Sequence, residues 1–109
     1  MPAVPKQKII SWTTHARFKM QFYKLSEARV RRVIHTPTRI EEGVAPKTIA
    51  MMQSGGNARH PHEIWAMIQD QRGKRKIISA WRYPGKTKPR SEIAKEFFVR
   101  ELQEYGKFK

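Results

Sequence analysis

His62-Glu63-Ile64-Trp65-Ala66-Met67-Ile68-Gln69-Asp70 and Arg75-Lys76-Ile77-Ile78-Ser79-Ala80-Trp81-Arg82-Tyr83 flank a turn centred on Arg72-Gly73. Two β-branched and aromatic runs around a glycine turn predict a hairpin. Pairing Gln71 with Lys74 then sets the register by counting. Asp70 meets Arg75, Ile68 meets Ile77, Ala66 meets Ser79 and Ile64 meets Trp81 on one face. Gln69 meets Lys76, Met67 meets Ile78, Trp65 meets Ala80 and Glu63 meets Arg82 on the other. Two opposite-charge pairs fall across from each other, which favours this register. Both faces carry apolar residues, so the hairpin belongs at the centre of a sheet.

Working outward, Lys8 to Trp12 reads as a first strand after a flexible leader, residues 1–7. Thr13 or Thr14 then caps a helix from His15 to about Tyr23. Ala16, Phe18, Met20 and Phe22 alternate with polar residues as in a strand, but the helix formers Ala, Arg, Lys, Met and Gln decide for helix. Ser26 caps a second helix, with Glu27 in its first turn and Val30, Val33 and Ile34 on one apolar side. Thr36-Pro37 ends it. Short strands follow at Thr38–Glu42 and Lys47–Met52. Gln53 to Pro61, with Gly55-Gly56, reads as a flexible loop. Beyond the hairpin, Pro84 to Arg90 is a basic loop, and Ser91 caps a C-terminal helix over 91–106 that Gly106 stops. The predicted order is β-α-α-β-β-β-β-α. It implies one α+β domain over 1–109, a small antiparallel sheet with two N-terminal helices and a C-terminal helix, the helices on one face.

Charge narrows the function. The formal net charge is +14. Residues 1–54 hold ten basic and three acidic side chains, and 55–109 hold thirteen and six. The folded body itself is therefore cationic, which suits a polyanion partner bound through counterion release. From Arg72 to Arg90 there are eight Lys or Arg and no acid. With no cysteine in the chain, disulfides and thiolate chemistry are excluded, and a reducing compartment fits. No apolar run resembles a signal peptide or a membrane span, so the expectation is a cytoplasmic protein without a membrane partner.

The segments Thr14-His15-Ala16-Arg17-Phe18-Lys19-Met20, Leu25-Ser26-Glu27 and Val30-Arg31-Arg32-Val33-Ile34-His35-Thr36-Pro37, with Ile77-Ile78-Ser79-Ala80 and Arg82 later, resemble BrnT-like small proteins of the RelE/ParE toxin superfamily. The resemblance spans roughly residues 8 to 90 in the order of elements. It implies a RelE/BrnT-like fold, often an RNA-cleaving toxin held by an acidic or helix-turn-helix antitoxin. The Gly-rich insert at 54–61 and the extended C-terminal helix depart from that pattern.

Metal-free RNA cleavage uses the neighbouring 2′-hydroxyl as nucleophile and needs a base, an acid and cations on the phosphate. The residues that fit are His15 as acid or base, Arg17 and Arg82 as phosphate clamps, and Tyr83 as stacker or proton donor. Against this, His15 also fits a helix start bonding backbone, and Arg82 a plain partner of Glu63. Lys19, Arg29, Arg32, Lys74, Arg75, Lys76, Lys86, Lys88 and Arg90 are the expected nucleic-acid contacts, converging on one patch. Arg29 and Arg32 share a helix face at three-residue spacing. His60-Pro61-His62 has only Glu63 nearby and reads as a structural junction, so no metal or cofactor is expected. Three functions stay open: an RNA-binding, metal-independent endoribonuclease; a non-catalytic RNA- or ribosome-associated module; and a protein-interaction module with an acidic partner.

Overall fold

The structure is a computed structural model and describes residues 9–43, 45–88, 100, 103 and 104. Its elements are β1 (Ile9–Trp12), α1 (Thr14–Tyr23), α2 (Glu27–His35), β2 (Arg39–Glu42), β3 (Ile49–Gly56), β4 (Pro61–Gln71) and β5 (Lys74–Pro84). One sheet has the order β1-β5-β4-β3-β2. β5, β4, β3 and β2 pair antiparallel in succession, but β1 runs parallel to β5, with Ile9 beside Lys74 and Trp12 beside Ile77. The sheet is therefore mixed and five-stranded, which corrects the expected antiparallel sheet. Two helices lie between β1 and β2, and the expected helix over 91–106 lies outside the described residues apart from Arg100, Gln103 and Glu104.

Parallel pairing is open to β1 because its connection to β5 runs through α1, α2, β2, β3 and β4 and not through a tight turn. A strand rejoining its sheet after a helical crossover can lie parallel to its neighbour, whereas a tight turn enforces antiparallel pairing. Thr13 joins strand to helix. Its N–H donates to the Ile77 carbonyl at 3.1 Å, and its hydroxyl donates to the Ile78 carbonyl at 3.0 Å while accepting from the Ala16 N–H at 2.9 Å. α1 ends where Lys24 turns left-handed (φ 57°) and the Leu25 N–H reaches back to the Met20 carbonyl at 2.8 Å. Ser26 caps α2 by accepting from the Arg29 N–H at 3.0 Å.

Both sheet faces are buried. On the helix side Ala16, Met20, Leu25, Val30, Val33 and Ile34 pack against Met51, Ile64, Ala66, Ile68, Ile77 and Ala80. On the far side Ala50, Met52, Trp65, Met67, Ile78 and Trp81 form a second cluster. α1 buries Ala16 and Met20 and leaves Phe18 and Phe22 46% and 67% exposed. The alternation that imitates a strand thus becomes two sides of a helix.

The hairpin is central, as expected, but its register changes midway. Gln71–Lys74, Asp70–Arg75, Gln69–Lys76 and Ile68–Ile77 pair as counted; then Met67 faces Ser79. Ile78 is the extra residue of a β-bulge, and every later pair slips by one. Trp65 lies opposite Trp81 rather than Ala80, their rings 6.0 Å apart and 6° from parallel. Glu63 lies opposite Tyr83, and Arg82 lies opposite Ile64. The bulge therefore moves Arg82 from the tryptophan face to the helix face.

Candidate nucleic-acid interface

Alternation along the strands builds the site. Gln53, Ile64 and Arg82 form one cross-strand row, and Gly55, His62 and Pro84 form the next. Ile64 belongs to the helix-side core, so Gln53, His62 and Arg82 share that face. Arg29 and Arg32 descend on it from α2, whose Val30, Val33 and Ile34 are packed below.

Neutral groups orient Arg29 and Arg82. Gln53 accepts from Arg29 Nη1 through Oε1 at 2.5 Å. Its amide nitrogen donates to the Thr36 carbonyl at 3.0 Å and the Thr36 hydroxyl at 2.9 Å, at the end of α2. Arg82 Nη2 reaches the Tyr23 carbonyl at 3.4 Å, and Nη1 lies 3.2 Å from His62 Nε2. A guanidinium can only donate, so Nε2 accepts and the imidazole is neutral with its proton on Nδ1. Gly55 makes room for this ring: a Cβ there would lie 2.5 Å from Nε2.

The electrostatics are one-sided. Burial, then Arg32 and Arg82, lower the pKa of Arg29; burial, then Arg82 and Arg29, lower that of His62. Among the described residues no carboxylate pairs with Arg29, Arg32 or Arg82. The ion pairs lie elsewhere: Arg17–Glu27, Lys19–Glu104, Arg39–Glu41, Arg39–Glu63 and Arg75–Asp70. Arg29 and Arg82, half-buried, and the exposed Arg32 stand together without a counter-anion among the described residues, and an anion there gains from each of them.

The loop after β5 is pinned to the same end of the sheet. Gly85 N–H donates to the Pro61 carbonyl at 2.9 Å. Glu63, only 3% exposed, accepts from the Trp65 indole at 3.0 Å, the Thr87 N–H at 3.0 Å and the Thr87 hydroxyl at 2.7 Å. Arg39 donates to the Thr87 carbonyl at 2.9 Å and lies 5.2 Å above Trp65. Lys86 and Lys88 flank the clasped Thr87 and are exposed.

The remaining expected site residues fall elsewhere. His15 is 0% exposed, its Nε2 3.3 Å from the Ser79 hydroxyl. Burial first and Lys19 second lower its pKa, against Glu104. A group with no surface cannot meet a strand of RNA. Lys19 is buried too, 2.8 Å from Glu104 and over the Tyr23 ring. Arg17 pairs with Glu27 and, with Arg31, brackets Trp12. Tyr83 faces the tryptophan side, away from Arg82. Lys74, Arg75 and Lys76 lie at the hairpin tip, where Asp70 holds Arg75 at 2.7 Å. Six residues separate Lys76 from Arg82 along β5, about 20 Å. The expected single patch is therefore two basic regions at opposite ends of one strand. Arg90 lies outside the described residues.

In sequence, His62 reads as part of a structural junction and Gln53 as the start of a loop. His62 shares Ile64's face by alternation, and the Gly55-Gly56 pair leaves space across from it; together these were the available signal. β3 continues through Gly56, so Gln53 to Gly56 is strand and not loop. Among the described residues no group of three or more His, Cys, Asp or Glu is placed to hold a metal ion, and no helix is long and apolar enough to cross a membrane. Compared with known proteins, the chain matches no family model, no curated protein and no solved structure.

Proposed function

We propose that this protein binds RNA, taking the phosphate backbone at the end of the sheet where Arg29, Arg32, Arg82 and His62 meet. The observation that carries the reading is that convergence without a carboxylate partner among the described residues. Lys86 and Lys88 extend the positive surface, and the net charge of +14 supplies long-range attraction. A cytoplasmic location, with or without ribosomes as the immediate target, belongs to the same proposal. The test is a titration of the full chain with single-stranded RNA, and with DNA of the same sequence, across a salt series. RNA affinity falling linearly on a log–log plot supports the reading; affinity for neither polymer, or none that salt weakens, overturns it.

One observation favours a catalytic form of this reading. His62 is neutral and held against a phosphate-seeking arginine; a phosphate that draws Arg82 to itself frees Nε2 to take the proton of a 2′-hydroxyl. With the resemblance to RelE/ParE toxins, this supports a metal-independent endoribonuclease restrained by an acidic or helix-turn-helix antitoxin. Cleavage in the presence of a chelator that stops in His62→Gln supports it. Intact RNA with wild-type protein, with and without ribosomes, leaves the non-catalytic module. A protein-interaction module would instead bind an acidic partner tightly and show no salt-steep affinity for RNA.

A further inference from the structure

From the way the cations converge, we infer that the cluster is a pocket for a terminal phosphomonoester, so that the protein recognises a phosphorylated strand end. The inference rests on the RNA-binding reading and names the ligand group of that same site. The cations are gathered at one point and not strung along a track. Arg29 and Arg32 come from α2, Arg82 from β5 and His62 from β4; Arg82 Nη1 lies 3.2 Å from His62 Nε2, and Arg29 bonds Gln53, which stands in the same cross-strand row as Arg82. Successive phosphodiesters would call for cations spaced along a groove.

Charge and geometry favour the monoester. A diester presents one negative charge and two non-bridging oxygens, whereas a monoester near neutral pH carries close to two charges and three terminal oxygens. Three guanidinium groups can each give a fork of N–H donors to such a group. The existing partners of Arg29 and Arg82 are the Gln53 amide, the Tyr23 carbonyl and the His62 ring, all neutral. These contacts fix direction without cancelling charge. Two of the three charged forks are therefore oriented before the ligand arrives, which lowers the ordering cost of binding. Gly55, opposite His62, keeps the approach clear of a side chain.

The experiment uses one RNA sequence in three forms: hydroxyl at both ends, a 5′-phosphate, and a 3′-phosphate. Each is titrated against the full chain at fixed salt by fluorescence anisotropy, and a nucleoside monophosphate is titrated in parallel by NMR. One phosphorylated form is expected to bind about tenfold tighter than the hydroxyl form, the extra charge being met by several guanidinium groups. Arg29→Gln or Arg82→Gln should erase that preference, while Lys76→Gln at the hairpin tip should keep it. Equal affinity for all three RNAs overturns the inference and leaves the RNA reading standing. Monophosphate binding that depends on Arg82, without RNA binding, upholds the pocket and overturns the RNA reading. Binding of neither overturns both.

Discussion

Two histidines show how burial and charge divide chemistry that looks alike in sequence. His15 is enclosed beside Ser79, with burial and then Lys19 holding its pKa below the ordinary value. Above pH of about 6.5 it is neutral folded or unfolded and contributes no slope. As pH falls below that value the unfolded chain takes up the proton first, so the folded state loses stability toward its own depressed pKa. Urea unfolding at stepwise lower pH should show falling stability, with a shallower fall in His15→Gln; an unchanged slope in that variant would contradict the assignment. His62 titrates at a surface. Arg82 faces it from β5 and Arg29 from α2, and on β3 Gly55 and Gly56 lie across from it. A phosphodiester bound there raises its pKa toward normal, so binding takes up protons. Affinity for hydroxyl-ended RNA should therefore rise as pH falls through about 6.5, and the rise should vanish in His62→Gln. An affinity that falls on acidification would contradict this.

Among the elements, the β4–β5 hairpin determines what reaches the site. Its two runs and turn were legible in the sequence, and four pairs next to the turn were countable from Gln71 and Lys74. The bulge at Ile78 was not legible. Nothing in Ile77-Ile78-Ser79-Ala80 marks an extra residue, because the gain appears only in three dimensions, where Trp81 stacks on Trp65 and Thr13 bonds the carbonyls of Ile77 and Ile78. A one-residue slip exchanges faces, so both the Glu63–Arg82 pair and the face of Arg82 were misread. The helices were readable from Thr13, Ser26 and Pro37, since caps and stops act locally. The burial of His15 and Lys19 ahead of Phe18 and Phe22 was hidden, because the position of α1 against β5 depends on distant residues. β3 offers the sharpest test at this scale. Gly55→Ala puts a methyl 2.5 Å from His62 Nε2, and the ring has to leave Arg82. The substitution should cost about 1–3 kcal/mol of stability by overpacking and weaken RNA binding as much as Arg82→Gln does. Unchanged RNA affinity in a folded Gly55→Ala protein would show that the His62 position is immaterial.

Across the whole molecule, a charge of +14 is divided by structure into working and compensated parts. Arg17, Lys19, Arg39 and Arg75 are engaged by carboxylates, and Arg17 and Arg31 also bracket Trp12. Arg29 and Arg82 are held by neutral groups at one end of the sheet near Arg32, with Lys86 and Lys88 beside the Glu63 clasp. The hairpin tip carries Lys74 and Lys76 at the other end, so total charge alone does not locate binding. The most direct measurement compares RNA affinity over a salt series for wild type, Arg29→Gln/Arg82→Gln and Lys74→Ala/Lys76→Ala. The sheet-end variant should bind more weakly and flatten the log–log slope by about two, one for each positive charge removed from the phosphate site, while the tip variant keeps nearly the wild-type slope. A tip variant that loses the slope while the sheet-end variant keeps it would contradict the account.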